Sequence, residues 1–100
     1  MLEVRQTQQF RTWLRRLKDS NAVARIVARI RRMEQGNFGD TRSVGAGVME
    51  LRVDYGPGYR IYYVNRGAKI VILLCGGDKR MQQQDIRRAH DLVRDLEEGE

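Results

Sequence analysis

The hydrophobic period of this sequence changes near Thr41 and changes back near Gln82. Before that residue, apolar side chains recur every three or four positions, and after it they alternate with polar ones. A helix repeats its face every 3.6 residues, whereas a strand repeats it every two. The sequence therefore predicts helices followed by a sheet, an α+β arrangement.

Three apolar stripes predict three helices. Thr7 can serve as the N-cap of the first helix, and residues 19–21 can cap the second helix. Gly36 is expected to end the second helix, and the third helix is expected to begin near Gln82. The stripes are Phe10, Trp13, Leu14 and Leu17; Val23, Ile26, Val27, Ile30 and Met33; and Ile86, Ala89, Val93 and Leu96. The first two helices predict a helical hairpin with a short connection.

Turn residues divide the alternating region into four strands, and residues 2–6 form a fifth, β-like segment. The turns fall at residues 45–47, 56–58 and 65–67. Residues 70–75 are apolar on both faces, which is typical of an inner strand, and Gly76 and Gly77 are expected to end it.

The turn at residues 56–58 sets which side chains meet across its hairpin. If it pairs Tyr55 with Tyr59, Asp54 lies opposite Arg60 and Arg52 lies opposite Tyr62, all on one face. A loop of different length would change that register. Convergence of polar groups on the hairpin is therefore a register-dependent prediction.

The charge balance favours polyanionic or acidic partners. The formal net charge is +6, and 16 of the 19 cationic residues are arginines, whose planar guanidinium suits phosphate and carboxylate. The single Cys75 in an apolar run predicts a buried thiol in a reducing compartment. No signal peptide or membrane-spanning stretch is recognised, so we expect one cytoplasmic domain over residues 1–100.

Two segments carry a family resemblance. The stretches VGAGVMELRVDYGPGYRIYYV and VILLCGGDKRMQQQDIRRA resemble the RelE/ParE toxin superfamily, in particular its HigB-type, addiction module killer branch. The resemblance implies a RelE-like β-α-α-β-β-β-β-α fold, with a twisted, mainly antiparallel sheet packed against an N-terminal helical hairpin and a C-terminal helix.

The resemblance also implies the toxin of a type II toxin-antitoxin system, neutralised by a helix-turn-helix antitoxin. Many relatives cleave mRNA on the ribosome without metal or cofactor, whereas ParE-type relatives poison DNA gyrase. Fold alone does not choose between these activities. A degenerate toxin that only binds its antitoxin is a third alternative.

Residues that match the family by motif are the candidate site. Arg52, Arg60, and Lys79 or Arg80 would serve catalysis, with Arg60 on the scissile phosphate. Lys79, Glu50 and Tyr62 are candidates for the proton acceptor. Tyr62 and Glu50 are also expected to contact RNA, and Tyr62 could do so by stacking on a base. A ridge on the second helix would grip RNA or dock an acidic antitoxin segment: Arg25, Arg29 and Arg32.

Each of these residues also has a structural alternative. The charged residues of the hairpin can form cross-strand ion pairs, the helical ridge can be a solvated face, and Lys79 and Arg80 can belong to an exposed turn. With one histidine and one cysteine the sequence contains no zinc motif, and it has no glycine pattern for nucleotide binding.

Overall fold

The computed structural model describes residues 1–99, which form a five-stranded sheet with three helices. The elements are β1 (Glu3–Gln6), α1 (Gln8–Arg16), α2 (Ser20–Glu34), β2 (Thr41–Ser43), β3 (Val48–Val53), β4 (Tyr59–Arg66), β5 (Ile70–Asp78) and α3 (Gln82–Gly99). A single 3₁₀ turn, Lys79–Met81, joins β5 to α3. The element order predicted from the hydrophobic period is confirmed.

The sheet has the strand order β1-β5-β4-β3-β2 and is mainly antiparallel. Only β1 runs parallel to its neighbour, β5, and the other three pairs are antiparallel. This agrees with the expected sheet. Strand β5, between β1 and β4, is the inner strand that its apolar sequence predicts.

Capping side chains define where the first two helices begin. The Thr7 hydroxyl accepts a hydrogen bond from the Phe10 amide, and the Asp19 carboxylate accepts from the amides of Asn21 and Ala22. Gly36 follows α2 with φ +85°, a left-handed conformation that glycine adopts without strain. Both predicted caps and the predicted stop are confirmed.

Two hydrophobic clusters cover the two faces of the sheet. One face packs under α1 and α2, with Phe10, Ile26 and Tyr63 fully or almost fully buried. The other packs under α3, with Tyr62 and Ala89 fully buried. Because α3 covers this second face, a polar side chain beneath it, such as that of Glu50, is held away from solvent.

Strand β5 continues past the two glycines that were expected to end it. Its pairing with β4 extends to Asp78, with a bulge beside Tyr62 and Tyr63. After the bulge, Gly76 faces the Trp13 ring and Gly77 faces the Asp85 carboxylate, each closer to the strand than a Cβ atom would allow. The glycines therefore admit these side chains against the sheet, and the strand does not end there.

The hairpin of β3 and β4 has a register two residues away from the predicted one. Val53 pairs with Tyr59, so Arg52 lies opposite Arg60 and Glu50 opposite Tyr62. The predicted partners, Asp54 for Arg60 and Arg52 for Tyr62, are wrong because residues 54–58 form a longer loop. A shift by an even number preserves the face, so the polar side chains still converge.

Candidate active site

Cationic side chains from separate segments line a cavity of about 300 Å³ at the end of the β3-β4 hairpin. Its charged members are two arginines, one lysine and two aspartates: Arg52, Arg60, Lys79, Asp40 and Asp54. Three of the four residues predicted to serve catalysis thus meet in one place. The two aspartates bring carboxylate oxygens into the same cavity.

Arg60 is the most firmly held of these cations. Its side chain is only 10% exposed, and Nη1 donates a 2.9 Å hydrogen bond to the Gly58 carbonyl. Its Nε lies 3.8 Å from Oε2 of Glu50. A Cβ at Gly58 would approach Arg60 Nη1 to 3.2 Å, so glycine keeps this loop close to the guanidinium. Arg60 is therefore oriented before any ligand binds.

Glu50 is a fully buried carboxylate surrounded by donors. Oε1 accepts from Arg42 Nε at 2.8 Å, and Oε2 accepts from Gln82 Nε2 at 2.9 Å and from the Tyr62 hydroxyl at 3.0 Å. Burial alone would raise the pKa of Glu50, but these hydrogen bonds outweigh it and lower the pKa below its ordinary value. Glu50 is a fixed counter-charge, and its burial removes it from the candidate proton acceptors and from direct contact with RNA.

Tyr62 is also unavailable to a ligand. Its ring is fully buried beneath α3, so it cannot stack on a base as the sequence suggested. Burial and the adjacent Glu50 charge raise the pKa of its phenol far above the ordinary value. The phenol stays protonated as a donor to Glu50, and Tyr62 is not a proton acceptor.

Arg52 lies across the strand pair from Arg60 and is about half exposed. Its Nη2 donates to Oδ1 of Asp40 at 3.0 Å. Its own amide donates to the Asp40 carbonyl at 2.9 Å, one residue before β2 begins. The Arg52 guanidinium can therefore reach a ligand in the cavity while its backbone anchors the loop that carries Asp40.

Lys79 and Arg80 are adjacent in sequence but lie differently. Lys79 is exposed and lines the cavity, with its Cβ 3.7 Å from the position of a Cβ on Gly58. Arg80 is 82% exposed and donates to the Asp78 carboxylate at 3.1 Å. The structure therefore places Lys79 with the hairpin arginines and Arg80 outside the cavity.

One arginine of the basic ridge on α2 forms hydrogen bonds within the protein. Arg29 donates to the Arg52 carbonyl at 2.7 Å and to the Phe38 carbonyl at 3.1 Å, which ties α2 to β3 and to the loop before β2. Arg25 lies over the Tyr55 ring at 4.7 Å, and Arg32 is exposed. Arg29 is thus a structural clamp, and Arg25 and Arg32 are the ridge residues left on the surface.

A larger cavity, of about 450 Å³, lies between α1, β5 and α3. It contains Arg16 and Arg88 but no carboxylate or imidazole. Its thiol, Cys75, is buried, and burial raises the pKa of that thiol to about 12. Acid-base cleavage needs a proton acceptor, so the smaller cavity at the hairpin is the better candidate.

Two site residues, Asp40 and Gln82, could not be recognised from sequence patterns. Asp40 is outside the family-like segments and reaches the cavity only because Arg52 and Arg29 fix its loop. Gln82, the first residue of α3, was expected only as a helix start, yet it donates to Glu50. Among residues 1–99, no group of three histidine, cysteine or acidic side chains could hold a metal ion. Nor does this part of the chain include a helix both long and apolar enough to span a membrane.

Sequence comparisons assign the chain to a family. The profile of the family described as Phage derived protein Gp49-like (DUF891) matches residues 12–94. An uncharacterized protein of Haemophilus influenzae is 48% identical over 95 residues, which cover 95% of this chain and 96% of the relative. The chain belongs to the Gp49-like family, a RelE-like family of type II toxin-antitoxin systems.

Proposed function

We propose that this protein is the toxin of a type II toxin-antitoxin system and acts, like a HigB-type toxin, as a ribosome-dependent mRNA endoribonuclease in the cytoplasm. One observation carries the proposal: Arg52, Arg60 and Lys79 come from three separate elements and converge on one cavity. A surface that only docked a protein would not require three cations around a cavity of about 300 Å³.

The cations suit cleavage of RNA by attack of the 2′-OH on the adjacent phosphate. The pentacoordinate phosphorus species carries extra negative charge, which preorganised guanidiniums stabilise. Arg60, held by Gly58 and Glu50, would bind the scissile phosphate, and Arg52 would bind a second phosphate oxygen. Lys79 would donate a proton to the leaving 5′-oxygen. This chemistry calls for neither metal nor cofactor.

The remaining surface suits the proposed partners. Exposed arginines on α2, Arg25 and Arg32, provide a salt-sensitive, sequence-independent attraction for ribosomal RNA. The family implies an antitoxin partner, and we propose a helix-turn-helix protein encoded beside the toxin. Its acidic segments would compete with RNA for the basic surface.

Adjacent cations provide a matched pair of variants for testing the proposal. Lys79→Ala removes the cation that lines the cavity, and Arg80→Ala removes one positive charge next to it but outside the cavity. Each protein is expressed from a controlled promoter, and growth, transcript integrity by primer extension and thermal unfolding are measured. We expect wild type and Arg80→Ala to arrest growth and cut mRNA, and Lys79→Ala to fold normally without doing either.

Other outcomes would support the alternatives. Growth arrest with intact transcripts and an induced DNA-damage response would replace the nuclease with a gyrase poison. Harmless expression of wild type, with antitoxin binding retained, would indicate a degenerate toxin. Equal activity of Lys79→Ala and Arg80→Ala would refute the role given to the cavity.

A further inference from the structure

The cleavage proposed above needs a proton acceptor, and the structure narrows the choice. Glu50 and Tyr62 are fully buried and joined by a hydrogen bond, so neither can reach the 2′-OH of a bound RNA. Lys79 is better used as the acid, because an ammonium already carries the proton that the leaving oxygen needs. The carboxylates that line the cavity are Asp40 and Asp54.

Asp40 is held at the cavity by its backbone and by one carboxylate oxygen. Its carbonyl accepts from the Arg52 amide at 2.9 Å, and Oδ1 accepts from Arg52 Nη2 at 3.0 Å. Within residues 1–99, the second oxygen, Oδ2, accepts no hydrogen bond from another side chain. One oxygen therefore orients the carboxylate while the other stays free.

The loop before Asp40 is fixed as well. Arg29 donates to the Phe38 carbonyl, and its Nη2 would lie 2.8 Å from a Cβ at Gly39, which has φ +70°. Any side chain at Gly39 would be strained and would collide with the guanidinium. Gly39 and the hydrogen bond from Arg29 therefore hold this loop in one conformation, which places Asp40 at the cavity.

We propose that Asp40 is the proton acceptor for the 2′-OH, an assignment that rests on the proposed ribonuclease function. Oδ2 of Asp40 takes the 2′-OH proton as O2′ forms a bond to phosphorus. The bond from phosphorus to O5′ breaks, its electron pair leaves with O5′, and the Lys79 ammonium protonates that oxygen. The products are a 2′,3′-cyclic phosphate and a free 5′-OH; Asp40 then releases its proton to solvent, and Lys79 takes a proton from solvent.

The second carboxylate of the cavity, that of Asp54, is not oriented by hydrogen bonds as Asp40 is. Asp54 lies in the exposed loop between β3 and β4, and its side chain makes no hydrogen bond or ion pair within the described residues 1–99. A general base must lie in a defined position relative to the hydroxyl it deprotonates. We assign Asp54 no role, and it therefore serves as the matched control.

Asp40→Asn tests the assignment with little change in shape, because the amide oxygen can still accept from Arg52. Wild type, Asp40→Asn and Asp54→Asn are mixed with purified bacterial ribosomes programmed with a defined mRNA. Single-turnover cleavage rates are measured across pH, and ribosome binding is measured separately. The cationic groups around Asp40 are retained in all three proteins: Arg29, Arg52, Arg60 and Lys79. Only the control changes the second carboxylate, Asp54.

We expect Asp40→Asn to lose about 100-fold or more in cleavage rate, the usual contribution of a positioned acid or base. Its rate should also lose the rise with pH that a general base is expected to give wild type on the acid side of the profile. Ribosome binding should change by no more than a few fold. Asp54→Asn should match wild type in rate and in pH dependence.

Three results would overturn the assignment in distinguishable ways. If wild type leaves the mRNA intact, the ribonuclease function is wrong and the role of Asp40 falls with it. If wild type cleaves the mRNA and Asp40→Asn has the same cleavage rate and the same dependence on pH, only the assignment of the base is wrong. Loss confined to ribosome binding would show that Asp40 only positions Arg52.

Discussion

Removing the buried carboxylate of Glu50 should destabilise the fold strongly. Glu50→Ala leaves the Tyr62 hydroxyl without its acceptor, and it leaves the Arg60 guanidinium, 10% exposed, without its counter-charge. Truncating one partner of a buried ion pair costs about 3–5 kcal/mol. Because 1 kcal/mol corresponds to about 4–8 °C for a domain of this size, the Tm should fall by at least about 12 °C.

Tyr62→Phe tests the same network from its other end. The ring and its packing remain, and only the 3.0 Å hydrogen bond to Glu50 is lost, so we expect a cost of about 1–3 kcal/mol. In the Glu50→Ala background the same change should cost much less, because the hydroxyl has already lost its acceptor.

Thermal and urea unfolding followed by circular dichroism measure both effects. Asp91→Ala is the matched control, because it removes a carboxylate that pairs with Arg94 on the exposed face of α3, and exposed pairs contribute little. If Glu50→Ala were no more destabilising than Asp91→Ala, the buried network would not stabilise the fold as argued.

Three further predictions concern the segment from β5 into α3. Burial raises the pKa of Asp85, with a smaller contribution from Asp78 and an offset from Arg88. Its stabilising contribution is therefore present below the unfolded pKa, about 3.9, and is lost as pH rises through the folded value. Asp85→Asn should unfold at a higher temperature than wild type at neutral pH, and the two should converge near pH 4; an unchanged gap would contradict this. Gly76→Ala would place a Cβ 2.4 Å from the Trp13 ring, so we expect a loss of about 1–3 kcal/mol and a shifted emission of the single tryptophan; an unshifted spectrum would show that the contact is loose. Burial raises the pKa of Cys75 to about 12, so alkylation by iodoacetamide should be slow in the native protein and fast in urea, and equal rates would exclude a buried thiol.

Local patterns in the sequence determined the elements of this protein. The stripes of α1, α2 and α3 and the alternation in β2 to β4 indicate which side of each element meets the core, because burial repeats with the geometry of the backbone. Thr7 and Asp19 cap helices through contacts two or three residues away. Arg60 and Lys79 could be selected because they lie in motif-bearing segments.

The tertiary structure decided which polar residues face the cavity. The length of the 54–58 loop placed Arg52 opposite Arg60, and the packing of α3 buried Tyr62 and Glu50, two residues that alternation alone left on an open face. Asp40 comes to the site because it contacts Arg52 of β3 and because Arg29 of α2 holds the preceding loop at Phe38, and both arginines are distant from it in sequence. Strand alternation specifies a face, whereas exposure on that face depends on what the rest of the chain packs against it.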